Sequence, residues 1–184
     1  MNPSGSQPQR GVPTSHQLLL RVSKAEQKTL GYYAEGINLV SATGRTLIDL
    51  QHQACADRIV LAKGFLDTGD RLMRTRPQQY RSAISRYYYS MYHAIRAVAY
   101  FHLGGDDKQS HSALPGALPD DFVDSAIWQN ELKDARSRRN EADYDPYPIA
   151  DTDWRPVAQG LQAKAPQLLA HAEAYLRKKG CTNL

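Results

Sequence analysis

Gln79–Leu103 reads QYRSAISRYYYSMYHAIRAVAYFHL, with neither Gly nor Pro. Its side chains sort into three rows at alternating spacings of four and three, the signature of one long helix. Ile84, Tyr88, Met91, Ile95, Val98 and His102 form the first row, and Ala83, Tyr87, Ser90, Ala94, Ala97 and Phe101 the second. The small residues of the second row allow a neighbouring backbone to come close. A helix apolar over two rows is buried over most of its circumference. The third row, Ser82, Arg86, Tyr89, His93, Arg96 and Tyr100, is cationic and aromatic. It calls for a partner chain, a nucleic acid or water.

Outward from this helix, the same periodicity recurs on both sides. Upstream, Ile48, His52, Cys55, Ile59, Ala62, Leu66 and Met73 make a long amphipathic face from Thr46, widened by Leu47, Leu50, Leu61 and Phe65 and loosened at Gly64 or Gly69. Arg76-Pro77 ends it, because proline disfavours helical geometry in the residue before it. Downstream, Gly104-Gly105 stops the central helix, and 106–119 is a polar loop. Asp120 and Asp121 are expected to cap a third helix carrying Val123, Ala126, Ile127, Leu132 and Ala135. A last helix starts near Asp153, with Val157, Leu161, Ala165, Leu168, Ala172 and Leu176 inward and a kink or restart expected at Pro166. No segment alternates as a strand does, so an all-α, antiparallel four-helix bundle is expected over 45–180. Residues 1–15 read as a flexible tail. Residues 16–44 read as an extension with one short helix, its start marked by the capping box Ser23-Lys24-Ala25-Glu26.

The bulk numbers narrow the function classes. The chain has 184 residues, 41% of them hydrophobic, enough for one packed domain with tails. No run approaches the ~20 apolar residues of a membrane span, and no secretory leader is seen at the N-terminus. Cys55 and Cys181 are too few and too far apart for a disulfide framework. A cytoplasmic protein with no membrane contact is expected. The net charge of +4 and pI of about 9.1 permit an anionic partner. Phosphate-binding Gly loops, a nucleophile elbow and a His-Glu-x-x-His pair are all missing, and the six histidines lack metal-ligand spacing. Neither a metal nor a cofactor is expected.

Glu131–Tyr147, ELKDARSRRNEADYDPY, carries the chemistry. Taken with Tyr87–Ala94 of the central helix, the Ser110-His111 loop and Arg139-Asn140-Glu141-Ala142-Asp143-Tyr144, it resembles the HEPN superfamily (higher eukaryote and prokaryote nucleotide-binding domains). The resemblance is to the branch whose third helix ends in Arg-x-x-Ala-Asp-Tyr, and it covers roughly 46–179. It implies a helical bundle that pairs as a homodimer, and an RNA- or nucleotide-related role beside a nucleotidyltransferase-type partner in toxin–antitoxin or defence systems. Active members are metal-independent ribonucleases with His four to six residues after Arg. Here Asp143, Tyr144 or Asp145 stands at that place.

Metal-free RNA cleavage needs a proton acceptor for the 2′-hydroxyl and a cation for the phosphorane. Arg139 is the candidate cation, with Tyr144, Asp143 and Asn140 completing a catalytic site. A tyrosine hydroxyl is a poor base near neutrality, and Arg138 and Arg139 weaken Asp143 as one. Two Arg-x5-His pairs, Arg10–His16 and Arg96–His102, are no more than chance provides in this composition. Whether the chain is an enzyme is left open by its residues. Arg138, Arg136, Arg86, His93 and Arg96 are the nucleic-acid-binding candidates. Each has a plainer reading. The basic run late in its helix suits the helix dipole, Asp143 pairs with a nearby Arg, Tyr144 packs the bundle end, and His93 is an interface residue. His111 reads as a loop cap or a solvated residue, which the resemblance draws toward the cleft. Two functions therefore stand side by side: an RNA- or nucleotide-binding toxin or defence component with ribonuclease potential, and a non-catalytic helical module docking with a nucleotidyltransferase-type partner.

Overall fold

A computed structural model describes residues 15–105 and 110–184. Most of the expected tail and part of the polar loop lie outside the described residues. Six α-helices are present, α1 (Ser15–Ser23), α2 (Gln27–Thr43), α3 (Leu47–Arg74), α4 (Tyr80–Leu103), α5 (Ser125–Tyr144) and α6 (Arg155–Lys178), with short 3-10 turns at Leu114–Ala117 and Asp151–Trp154. The described residues contain no strand. The chain divides between Leu47 and Ile48 into two units.

The first unit holds two helices where one was expected. Ser23 does not open a helix; its hydroxyl donates to the Leu20 carbonyl and it ends α1. Glu26, with extended backbone, takes the N-cap position of α2 instead. Gly31 and Gly36 sit inside α2 without interrupting it, and a Cβ at either would touch nothing. No residue of α1 or α2 is buried.

In the second unit, α4 is the central element and packs against both α5 and α6. Its first two rows behave as their composition demands: Ile84, Tyr88, Met91, Ile95 and Val98, and Ala83, Tyr87, Ala94 and Ala97, are shut off from solvent. Each large side chain buried in this way contributes roughly 1.5–3 kcal/mol. From α3 come Cys55, Ile59 and Ala62; Ile48, Leu47 and Leu61, expected on that face, are exposed. The helix runs unbroken through Gly64 and Gly69. From α6 come Leu161, Ala165, Leu168, Ala172 and Leu176. Pro166 causes no restart: it faces solvent, and α6 is continuous from Arg155 to Lys178.

The entry to α5 also differs from expectation. Asp120 and Asp121 do not cap it. Asp121 accepts a hydrogen bond from the Tyr175 hydroxyl at 2.9 Å and pairs with Lys179 at 2.6 Å, fastening the loop to the end of α6. The helix begins at Ser125, after Asp124 turns the backbone left-handed at φ 50°. Phe122 and Trp128 are buried there, while Val123 and Ile127 are exposed. Past Gly180, Cys181 is buried and Leu184 packs against the core.

Candidate functional site

The third row of α4 is neither fully buried nor solvated. Its side chains meet α3, α5 and the loop before α5, and cations lie over rings along its length. Arg58 lies over the Tyr100 ring at 4.6 Å and Arg96 over Tyr92 at 5.6 Å. His93 stacks parallel on Phe65 of α3, centroids 5.3 Å apart and planes 2° apart. Arg86 covers both Phe65 and Tyr89, at 5.6 and 5.9 Å. Such contacts arise because a guanidinium keeps an electrostatic partner in a ring face while shedding part of its water.

Tyr89 is the hub. Its ring neighbours Phe65, Tyr88, Tyr92, His93 and His111 at centroid distances of 5.3–6.5 Å. Its hydroxyl accepts a hydrogen bond from Arg139 Nη2 at 2.9 Å. Arg139, only 9% exposed, lies over the Tyr88 and Tyr89 rings at 5.3 and 5.2 Å. Nη1 donates to Asn140 Oδ1 at 3.1 Å, and Nε stands 3.6 Å from Asp143 Oδ2, an ion-pair separation rather than a hydrogen bond. Asp143 in turn accepts from the Ser85 hydroxyl, 2.8 Å from each carboxylate oxygen. A cation this buried is held by its partners rather than by water.

Arg139, Asn140 and Asp143 are thus brought together, one turn apart on α5 and facing Ser85 and Tyr89 of α4. Tyr144 is not with them. Five positions after Arg139 it lies about 140° around the helix, and it is 74% exposed. Arg138 points elsewhere too, pairing with Asp134 at 3.5 Å and Glu141 at 3.2 Å on the outer face. Arg136, about one turn before Arg139, adds a positive charge that lowers the proton affinity of both Tyr88 and His111. Arg86, His93 and Arg96 belong to the cationic and aromatic row of α4.

Two participants were underweighted by the sequence. Tyr88 was assigned to the buried row, which it joins, but its hydroxyl lies 2.5 Å from His111 Nδ1. Burial pushes the Tyr88 hydroxyl up to about 12 against the opposing pull of Arg139 and Arg136. His111 stacks on Tyr92, centroids 4.3 Å apart and planes 21° apart. Burial lowers its proton affinity from the ordinary 6.5, and Arg139, Arg136 and Arg96 lower it further. The Ser-His dipeptide was the only available signal, and periodicity cannot place a loop residue. Among the described residues no group of three or more His, Cys, Asp or Glu could hold a metal ion, and no helix is long and apolar enough to cross a membrane.

Comparison with known proteins agrees with the geometry in one respect. The family model described as HEPN domain matches residues 56–178, more than half of the chain. No curated protein and no solved structure matches it.

Proposed function

The chain belongs to the HEPN domain family, whose members have nucleotide- or RNA-related roles in general, and from that premise we propose that it binds RNA or a nucleotide along the α4 groove. The observation that carries this reading is the row of Arg58, Arg96 and Arg86 lying over Tyr100, Tyr92, Phe65 and Tyr89, all of them partly exposed except the buried Tyr92. Guanidinium groups neutralise phosphates, and exposed ring faces accept bases regardless of sequence. Two copies pairing through α4 and the end of α5 set two such stripes on either side of one cleft, as a dimeric toxin–antitoxin or defence component requires.

The geometry supports binding better than cleavage. Arg139 is only 9% exposed and donates from Nη1 to Asn140 and from Nη2 to Tyr89, so it sits behind the α4 row rather than reaching for a phosphorane. Asp143 is likewise engaged by Ser85 and Arg139. That occupancy favours the non-catalytic reading, in which a nucleotidyltransferase-type partner supplies the chemistry.

A fluorescent single-stranded RNA titrated by anisotropy in EDTA over a salt series tests the proposal. Affinity is expected to fall steeply with salt, with a slope of about 0.7 per phosphate neutralised, and Arg86→Ala with Arg96→Ala should reduce that slope by roughly 1–2. A flat salt response would overturn phosphate-based binding. RNA recovered intact supports a binding module; RNA cut by the wild type and spared by Arg139→Ala would transfer the assignment to a ribonuclease.

A further inference from the structure

Cys55 and Cys181 stand far apart in sequence, yet the fold brings them to one place. Past Gly180, whose φ is 90°, residues 181–184 turn back onto α3 and run against its direction. Asn183 Nδ2 donates to the Asp49 carbonyl at 3.3 Å, and the Thr182 N–H donates to His52 Nδ1 at 3.4 Å. The Cys181 thiol then donates to the His52 carbonyl at 3.6 Å. A helical carbonyl points toward the residues one turn later, so the sulfur of Cys181 lies at the turn of α3 that carries Cys55. Both thiols belong to the same core cluster, 1% and 5% exposed.

The closed tail protects this pair. Burial, then the neighbouring Cys181, push the Cys55 thiol up to about 12, and burial raises Cys181 as well. A buried, protonated thiol is inert. The hold on the tail is slight, however, resting on the exposed Thr182 and Asn183 and on Leu184 packed against the core. A chain end held in this way opens locally at a small fraction of the cost of global unfolding. Each opening carries Cys181 into water, where it regains ordinary thiol reactivity. Cys55 borders a cavity of about 90 Å³ with Gln51, His52, Tyr100 and Phe101, which gives its side chain space to change rotamer as the tail returns.

We infer that Cys55 and Cys181 form a thiol–disulfide latch, an oxidation site that fastens the end of the chain to α3. The oxidant it takes is a small-molecule disulfide. In the open tail, Cys181 Sγ attacks one sulfur of that disulfide; a new S–S bond forms, the old one breaks, and the other half leaves as a thiol with the proton. On reclosure Cys55 Sγ attacks Cys181 Sγ, and the second small thiol leaves with the Cys55 proton. The protein gives up two electrons and two protons, and the oxidant becomes two thiols. In reducing surroundings the pair rests as free thiols, so the link forms only under oxidation. The link joins α3 to the chain end across most of the domain, and it constrains the unfolded chain far more than the folded one. It does not depend on what the α4 row binds.

The test exposes reduced full-length protein to glutathione disulfide, quenches with an alkylating agent and reads intact and peptide masses. The expected product has lost two hydrogens, takes up no alkylating agent and yields one peptide pair joined through Cys55 and Cys181. In that product, amide exchange of 181–184 should slow about tenfold or more, and the urea midpoint should rise. Added reductant should reverse both changes. Cys181→Ser, with native circular dichroism, should form no internal link and show neither change, and Cys55→Ala should repeat that result. Separate glutathione adducts on the two cysteines, a disulfide joining two chains, or thiols still free after 181–184 have fully exchanged would each overturn the proposal. A link that leaves exchange and urea midpoint as they were would overturn the latch as well.

Discussion

Gly69 has no conformational duty, for it lies inside α3 with helical backbone. A Cβ there would stand 2.7 Å from Tyr87 Cε1, closer than real Cβ contacts come. Tyr87 cannot step aside, since it is fully buried and its hydroxyl donates to Asp70 at 2.7 Å, an oxygen that Gln162 of α6 also approaches at 3.2 Å. Burial, then the bond to Asp70, raises the Tyr87 hydroxyl far above its ordinary value, so it remains a donor. Gly69→Ala would gain about 1 kcal/mol of helix propensity and lose more to overpacking. A net destabilisation of about 1–2 kcal/mol in urea unfolding is expected, and a stabilised variant would show that α3 and α4 have room to spare. The sequence offered Gly69 only as a place where the helix loosens. Its real role is set by a ring eighteen residues later in the chain.

At the level of elements, α4 was legible almost residue by residue, because an unbroken apolar pattern leaves a helix no alternative. Its beginning was not. Gln79 supplies no side-chain cap. The Tyr80 and Arg81 N–H groups instead donate to the two carboxylate oxygens of Asp151, at 2.6 and 3.1 Å. The Arg81 guanidinium then lies over Trp154 at 4.7 Å and donates to the Asp145 carbonyl. A cap brought from the turn before α6 satisfies the same orphan donors as a local one and places a negative charge at the positive helix end. Asp151→Ala is expected to cost about 1–2 kcal/mol of stability by urea denaturation, with Asp151→Asn recovering part of it. Equal stability of wild type and Asp151→Ala would remove this cap from the account. The opposite error occurred at α5, where Asp120 and Asp121 looked like caps but the second is drawn to Tyr175 and Lys179.

For the whole molecule, the proposed pairing has a measurable consequence. Light scattering of the wild type should give about twice 20.6 kDa, and His93→Glu with Arg96→Glu should shift the mass toward one copy. Circular dichroism must stay native for the comparison to count, because His93 also stacks on Phe65 and Arg96 on Tyr92. A wild-type monomer, or a natively folded double variant that remains dimeric, would reject this face as the interface.

The all-helical class, the position of α4 and the family were settled by sequence alone, since periodicity and a contiguous motif are local properties that every neighbouring residue reinforces. The motif also delivered Arg139, Asn140 and Asp143 as a group, because residues one and four positions after Arg139 ride on the same helix end. Only the tertiary structure decided which way each residue points and what it meets. It turned Tyr144 outward, bound Arg138 to its own helix face, locked Arg139 against Tyr88 and Tyr89, and carried His111 from a loop to the Tyr88 hydroxyl. The pairings with Tyr88 and Tyr89 join residues tens of positions apart, and their formation depends on which faces are left over once the core has closed.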